Sequence, residues 1–272
     1  MIINKIIAKH IYFVLFLFLF FSCSNKEVKT FYENGNLFKE YEFLDGKYDG
    51  KYIEYYQNGK QKKVSYFDKG VNIDSTIYYN NDSTIDLIFY YRKSDSIYQK
   101  KFKNNKVVSE GYILKKLKVG KWKYFSTGKK ISKILEYINL CDKQYLNQGW
   151  YFDKVGDTIK NKGNWLEIKY KKKILINEEV KINFEYFSYL TRNPTLVVCF
   201  STKIDEKFCN LTKLKLDTMI VQSNKFETKF LFNKKGSYNI RGFIEEHNNL
   251  EIDNIKDYKM RRVYFDKLFI VK

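Results

Sequence analysis

Apolar and polar residues are arranged in three ways along this chain. Eleven consecutive apolar residues run from Ile11 to Phe21, preceded by Lys5 and Lys9 and followed by Ser22 and Cys23. Between about 30 and 170, short segments alternate aromatic with charged residues and are punctuated by Asn, Asp and Gly. Period-two alternation broken by turn residues predicts β-hairpins. Past Lys173 the alternating segments lengthen, predicting strands from Val180 to Phe187, Thr195 to Ser201, Leu214 to Val221, Phe226 to Phe232, Tyr238 to Glu245 and Arg262 to Val271. Six or seven short strands in that space suit a small sandwich of two sheets. The expected fold class is all-β: an N-terminal repetitive β-hairpin array over 30–170, followed by a small β-sandwich over 175–272. Length and composition alone leave one large all-β body open.

The opening run sets the expected address. A lysine-bearing start followed by an apolar stretch is the pattern of a secretory signal peptide. As a helix the run spans about 17 Å, whereas a bilayer core takes roughly 20 residues, so a cleaved signal is favoured over a permanent span. Phe20-Phe21-Ser22-Cys23 resembles a bacterial lipobox, in which a signal peptidase cuts before a cysteine whose thiol has been acylated. Ser22 fits, while Phe20 stands where Leu is usual and Phe21 is bulkier than the usual residue. The resemblance implies a signal peptide over 1–22, lipid attachment at Cys23 through palmitate-type acyl chains, and a lipid-anchored tether over 23–29. The expected location is the cell envelope, at the outer membrane where the organism has one. Each buried methylene contributes about 0.8 kcal/mol, so several acyl chains hold a protein stably at a bilayer.

The array carries an internal repeat. Phe31-Tyr-Glu-Asn-Gly35 returns 24 residues later as Tyr55-Tyr-Gln-Asn-Gly59. Gly46-Lys-Tyr-Asp-Gly-Lys-Tyr52 precedes the second copy, and Gly120-Lys-Trp-Lys-Tyr-Phe-Ser-Thr-Gly128 echoes it. Weaker copies are Tyr78-Tyr-Asn-Asn-Asp82 and Trp150-Tyr-Phe-Asp-Lys-Val-Gly156. Asn-Gly predicts a tight hairpin turn with both residues at positive φ. These phrases resemble the MORN-type repeat family, in particular the bacterial YwqK-like variant labelled as an antitoxin component. The match rests on Tyr32, Asn34 and Gly35, on Gly46, Gly50, Lys51 and Tyr52, on Tyr55, Tyr56, Asn58 and Gly59, and on Gly120, Lys121, Trp122, Tyr124, Phe125 and Gly128. The resemblance implies an elongated β-hairpin array with roles in protein association or membrane-surface attachment. Tyr52, Tyr55, Tyr56, Trp122 and Tyr124 form a candidate binding strip, with packing between repeats as the alternative. Farther on, Gly236, Tyr238 and Ile240 resemble the strand entry of immunoglobulin-like domains, where a corner tyrosine pins a turn; Ile240 stands where antibody domains place a cysteine.

Charge narrows the partners. The chain has 50 Lys and Arg against 31 Asp and Glu, for a net charge of +19, which falls to +17 when Lys5 and Lys9 leave with the signal peptide. Such a balance draws a protein toward anionic surfaces. Lysines spread through Lys101-Phe-Lys-Asn-Asn-Lys106, Lys115-Lys116 and Lys169-Tyr-Lys-Lys-Lys173 also serve plain solubility. Nucleic acid is not expected, because the chain is addressed for export and carries no reader motif. After Cys23, three cysteines remain, so at least one lacks a partner within the chain. Cys199 and Cys209 are close enough in sequence to staple neighbouring strands, but the apolar run Leu196 to Phe200 favours a buried free thiol at Cys199.

Catalytic signatures are missing from the sequence. There is no phosphate-binding glycine loop, nucleophile elbow or paired-cysteine metal motif. His247, within Glu245-Glu-His-Asn-Asn249, is the single histidine after the signal run and a weak metal candidate even with Glu245, Glu246 or Asp253. Glu178-Glu179 and Asp205-Glu206 read as solvated turn residues. No catalytic residue, cofactor or metal is expected. The reading is a noncatalytic cell-envelope lipoprotein that binds a protein or an anionic surface polymer, held to membrane lipid through acylated Cys23. Alternatives are a structural spacer, an antitoxin-like protein that neutralises a partner, and an unrecognised envelope hydrolase.

Overall fold

The computed structural model describes residues 26–91, 95–126, 130–188, 195–252 and 255–272, and within these omits the side chains of 248–260. The signal run, Cys23 and the first tether residues lie outside the described residues, as do Thr127 and Gly128 of the third repeat phrase. The fold is all-β, and the chain divides into two compact units, Met1–Lys93 and Ser94–Lys272.

In the first unit, β1 (Lys26–Phe31), β2 (Leu37–Leu44), β3 (Lys47–Tyr55), β4 (Gln61–Asp68), β5 (Val71–Tyr79) and β6 (Ile85–Tyr90) form an antiparallel sheet in sequential order. Lys26 to Lys29, which the sequence places in the tether, are the first part of β1, where Val28 pairs with Tyr41 of β2. One face carries Tyr41, Tyr52, Ser65, Thr76 and Phe89 side by side across five strands; the other carries Ile53, Val64, Ile77 and Ile88. Ser65 and Thr76 are buried and satisfy each other at 2.9 Å.

Two kinds of turn connect the hairpin strands. The loops opening at Tyr32, Tyr56 and Asn80 share one pattern: the first residue's N–H donates to the carbonyl four residues on, and the N–H three residues on donates back. Only the fourth residue has positive φ, at +82° in Gly35, +79° in Gly59 and +71° in Ser83. Asn-Gly is therefore not the tight turn expected from sequence. Asn34 and Asn58 instead use their side-chain oxygens to accept the N–H two residues on, at 3.1 Å in each loop. The tight two-residue turns, with both φ positive, are Asp45-Gly46, Lys69-Gly70, Asn104-Asn105, Lys115-Lys116 and Cys141-Asp142. The 24-residue repeat also has a direct link, since Tyr32 donates its hydroxyl to the Tyr55 carbonyl and Tyr56 to that of Tyr79, at 2.7 and 2.6 Å.

The second unit continues the hairpin pattern in β7 (Ser96–Lys103), β8 (Lys106–Leu114), β9 (Leu117–Phe125), β10 (Ile131–Leu140), β11 (Lys143–Phe152) and β12 (Thr158–Tyr170). β12 pairs with β11 through its first half and with β14 (Glu179–Phe187) through its second, and β17 (Lys225–Leu231) follows β14. A second, mixed sheet has the order β13-β19-β18-β15-β16, from β13 (Lys173–Ile174), β15 (Thr195–Ser201), β16 (Asp217–Val221), β18 (Gly236–Ile252) and β19 (Ile255–Val271). Its edges are β13 and β16, so it does not close on itself. Leu166, Val180, Ile182, Phe184 and Tyr186 pack with Leu196, Val198, Ile244, Val263 and Phe269 in one core. Alternation along β14 explains this: Val180, Ile182, Phe184 and Tyr186 turn inward while Lys181, Asn183 and Glu185 stay out.

The opposite face of the second sheet packs on the β10–β11 hairpin, where Cys199, Ile204, Phe208, Phe243 and Tyr264 meet Ile138, Leu140 and Tyr145. Asn147, 2% exposed, accepts the Tyr264 N–H at 2.7 Å and donates to its carbonyl at 3.0 Å, satisfying both backbone groups. A disulfide joins Cys141 to Cys209, and Cys199 is a buried free thiol. The Cys199–Cys209 staple considered from sequence is thus replaced by a longer-range pair. Cys199 faces inward on β15, whereas the tight turn at Cys141 lies against the loop carrying Cys209, its N–H donating to the Lys207 carbonyl at 3.1 Å.

Candidate functional site

The sequence-derived strip is divided by its surroundings. Tyr52 and Trp122 are buried, at 6% and 0% exposure. Burial, with Glu54 nearby, pushes the Tyr52 hydroxyl up to about 12. Tyr55, Tyr56 and Tyr124 are half-buried; Tyr55 donates its hydroxyl to Glu40 at 2.5 Å, and Tyr56 to the Tyr79 carbonyl. In the first unit, therefore, these tyrosines hold strands and loops together. Lys63 sits 5.0 Å from the Tyr52 ring, while Lys62, near Tyr56, is paired with Glu54 at 2.7 Å.

In the second unit, Trp122 and Tyr124 belong to a larger constellation on the β9–β12 sheet face. Register places Trp122 of β9 beside Leu135 of β10, then Gly149 of β11 and Asn164 of β12. The next row is Tyr124, Lys133 and Tyr151. Trp122 lies flat on this face because Gly111 of β8 leaves room for its ring, and its indole N–H donates to the Tyr112 carbonyl at 3.0 Å. Lys118 lies 4.3 Å from the Trp122 ring and donates to the Tyr124 hydroxyl at 3.0 Å. Lys133 is 5.0 Å from the Tyr124 ring and 6.0 Å from Tyr151, whose other neighbour is Lys162 at 5.4 Å. Ammonium groups and rings thus alternate across four strands, each cation held by ring quadrupoles. Burial first, then the Tyr124 hydroxyl 3.2 Å away, pushes the Tyr137 hydroxyl up to about 12.

Charge is segregated between the two faces. Glu110 and Glu136 pair in register with Lys123 and Lys121, residues that alternate with Trp122 and so point the other way. Among the described residues, Lys118, Lys133 and Lys162 have no carboxylate within ion-pair distance. Beside them a groove of about 320 Å³ is lined by Leu135, Gly149, Gly163, Tyr151, Lys162 and Arg261. The Arg261 Nε is buried without a hydrogen-bond partner. A comparable concavity of about 350 Å³ over β12, β14 and β17 differs in charge, since its Lys225 is paired with Glu185 at 3.2 Å.

The remaining sequence candidates act locally. Asp205 accepts the N–H groups of Lys207 and Cys209 at 2.9 and 3.0 Å, and these hold its carboxyl below the usual range. Glu178 accepts the Leu175 N–H and pairs with Lys171 at 2.7 Å, and Glu179 pairs with Lys229 at 3.0 Å. His247 lies 2.9 Å from Glu245, which is also engaged by Arg262. Among the described residues, no three His, Cys, Asp or Glu side chains gather as a metal site, and no helix is long and apolar enough to cross a membrane. Sequence reasoning missed Lys118, Lys133, Lys162, Tyr151 and Arg261 as a group; alternation alone signals a face, but strand register decides which lysine meets which ring. No known family model matches the chain, and no curated protein matches it.

Proposed function

We propose that this chain is a lipid-anchored, noncatalytic cell-envelope scaffold that associates with an anionic partner through its β9–β12 face. The carrying observation is the row of ammonium groups alternating with aromatic rings, unneutralised on their own side of the sheet. Its address rests on the apolar run Ile11 to Phe21 and on Cys23 as the acylated residue. The exposed Cys141–Cys209 bond suits the oxidising compartment that this address implies.

The hairpins are read as MORN-type repeats, supported by the shared loop pattern at Tyr32, Tyr56 and Asn80. The carboxy-terminal layers are read as an immunoglobulin-like sandwich. Supporting this, β12-β14-β17 faces a sheet in which β13 runs parallel to β19, and Tyr238 donates its hydroxyl to the Lys234 carbonyl at 3.0 Å, as a corner tyrosine does. The antitoxin label of that family transfers weakly, because an exported chain would not meet a cytoplasmic toxin.

Crosslinking in the native cell, followed by recovery of the chain from membranes, tests this reading. The expected result is a recurrent envelope partner whose recovery falls when Lys118, Lys133 and Lys162 are changed to Gln. Membrane recovery with no partner under any condition leaves the spacer reading in its place, and capture of a cytoplasmic toxin overturns the envelope scaffold.

A further inference from the structure

The β9–β12 face carries enough chemistry to name the class of its ligand. We infer that Lys118, Lys133, Lys162 and Arg261, with the rings of Tyr124 and Tyr151, form a binding site for an anionic carbohydrate chain bearing carboxylates. This deepens the scaffold reading and rests on it for the source of the ligand in the envelope.

Three features favour a charged glycan. The cations are spaced along the sheet: neighbouring strands lie about 4.8 Å apart, so Lys133 on β10 and Lys162 on β12 stand on strands about 10 Å apart, the scale of a disaccharide. Each ammonium is already poised against a ring, at 5.0 Å for Lys133 on Tyr124 and 5.4 Å for Lys162 on Tyr151. A sugar ring laid on such a face stacks its C–H groups on the aromatic surface while its carboxylate meets the ammonium. The groove beside them, about 320 Å³, is lined by Tyr151, Lys162 and Arg261, whose guanidinium also donates to the Asn147 carbonyl at 3.4 Å. A bidentate carboxylate is the geometry that guanidinium is built to hold.

An acidic peptide fits less well. Peptides bound to sheets add a strand at a free edge, and β9, β10 and β11 are central strands whose backbone groups are spent on neighbours at both sides. What remains open is the side-chain face, which offers cations, rings and the exposed amide of Asn161. Gly149 and Gly163 keep that face low: a Cβ at Gly163 would collide with the Gly149 carbonyl and the Tyr151 ring.

The test is calorimetric titration of the full chain, purified in detergent, with a hexameric oligogalacturonate. Maltohexaose serves as the uncharged counterpart, polyglutamate as the acidic peptide and anionic lipid vesicles as the surface. Expected are binding of the oligogalacturonate alone among the two sugars, and weakening with ionic strength. Lys133→Gln with Lys162→Gln should weaken it by about tenfold or more, as should Tyr151→Ala, a loss of roughly 1.4 kcal/mol. Lys47, Lys51 and Lys60, exposed in the first unit, changed together to Gln should leave binding within about twofold of the unaltered chain.

Four results overturn the inference: no binding by the unaltered chain, equal loss in both lysine variants, equal or tighter binding of polyglutamate, or face-dependent binding of vesicles without the sugar. If the sugar fails while Cys23 is acylated and the chain stays in the membrane fraction, the site is wrong and the envelope scaffold stands. If the sugar binds but the native chain is unacylated and soluble, the site stands and the envelope reading falls.

Discussion

Single residues decide how the β9 face packs. Gly111 lies in β8 where its pairing with β9 shifts register, and a Cβ there would meet the Trp122 ring at 2.5 Å. Trp122 is fully buried and cannot retreat. Gly111→Ala is therefore expected to lower stability by about 1–3 kcal/mol through overpacking, read as a shift of the denaturant midpoint, whereas a neutral result would mean that the indole has somewhere to go. Sequence reasoning found Trp122 from its repeat phrase but not Gly111, because a glycine needed by a neighbouring strand's ring leaves no trace in its own segment.

A second residue-scale test concerns the buried carboxyl of Glu246, which accepts hydrogen bonds from Ser188 at 2.6 Å and Tyr186 at 3.1 Å. Burial raises its pKa above the usual carboxylate range, while Ser188, Tyr186 and the Arg261 charge pull the other way. The fold then holds this proton more tightly than the unfolded chain does. Its stabilisation is complete below the unfolded pKa, about 4.5, and is lost as pH rises through the higher folded value. Glu246→Gln keeps an acceptor for one hydroxyl and presents an NH2 whose hydrogen bond the other hydroxyl can accept, and is expected to raise the melting temperature at neutral pH, with the difference shrinking toward about pH 4. A fall at neutral pH would show the ionised carboxylate to be favourable beside Arg261.

At the scale of elements, the repeat was legible where its phrase kept glycine and faded where it did not. The loop at Asn80 has the same hydrogen bonds as those at Tyr32 and Tyr56, but Ser83 occupies the position of Gly35 and Gly59 at φ +71°. A left-handed conformation costs a non-glycine residue roughly 1–2 kcal/mol. Ser83→Gly should recover up to about 1 kcal/mol of this, less the greater entropy glycine has when unfolded; no gain in thermal stability would contradict the shared loop. The alternation of β14 was readable because one side of it is buried. The pairing of Cys141 with Cys209 was not, since it joins a hairpin turn to a loop 68 residues away and depends on how the β10–β11 hairpin lies on the second sheet. Closing a loop of that length contributes about 4 kcal/mol by chain entropy. Cys209→Ser, or reduction of the native chain, should accordingly destabilise the second unit by roughly 2–4 kcal/mol in denaturant, and insensitivity to reductant would remove the bond from the account.

For the whole molecule, the sequence conveyed the all-β class and the recurrence of hairpins but not the charge-segregated face, which emerges only when register brings residues from four strands together. A net charge of +19 says that anions are attracted, not where. The β9–β12 face is proposed to work outside the cytoplasm on a chain tethered by lipid. Intact mass of the protein recovered from the native membrane fraction tests it most directly. The expected result is a chain beginning at Cys23 and carrying acyl mass; an unacylated chain retaining residues 1–22, recovered from the soluble fraction, would contradict it.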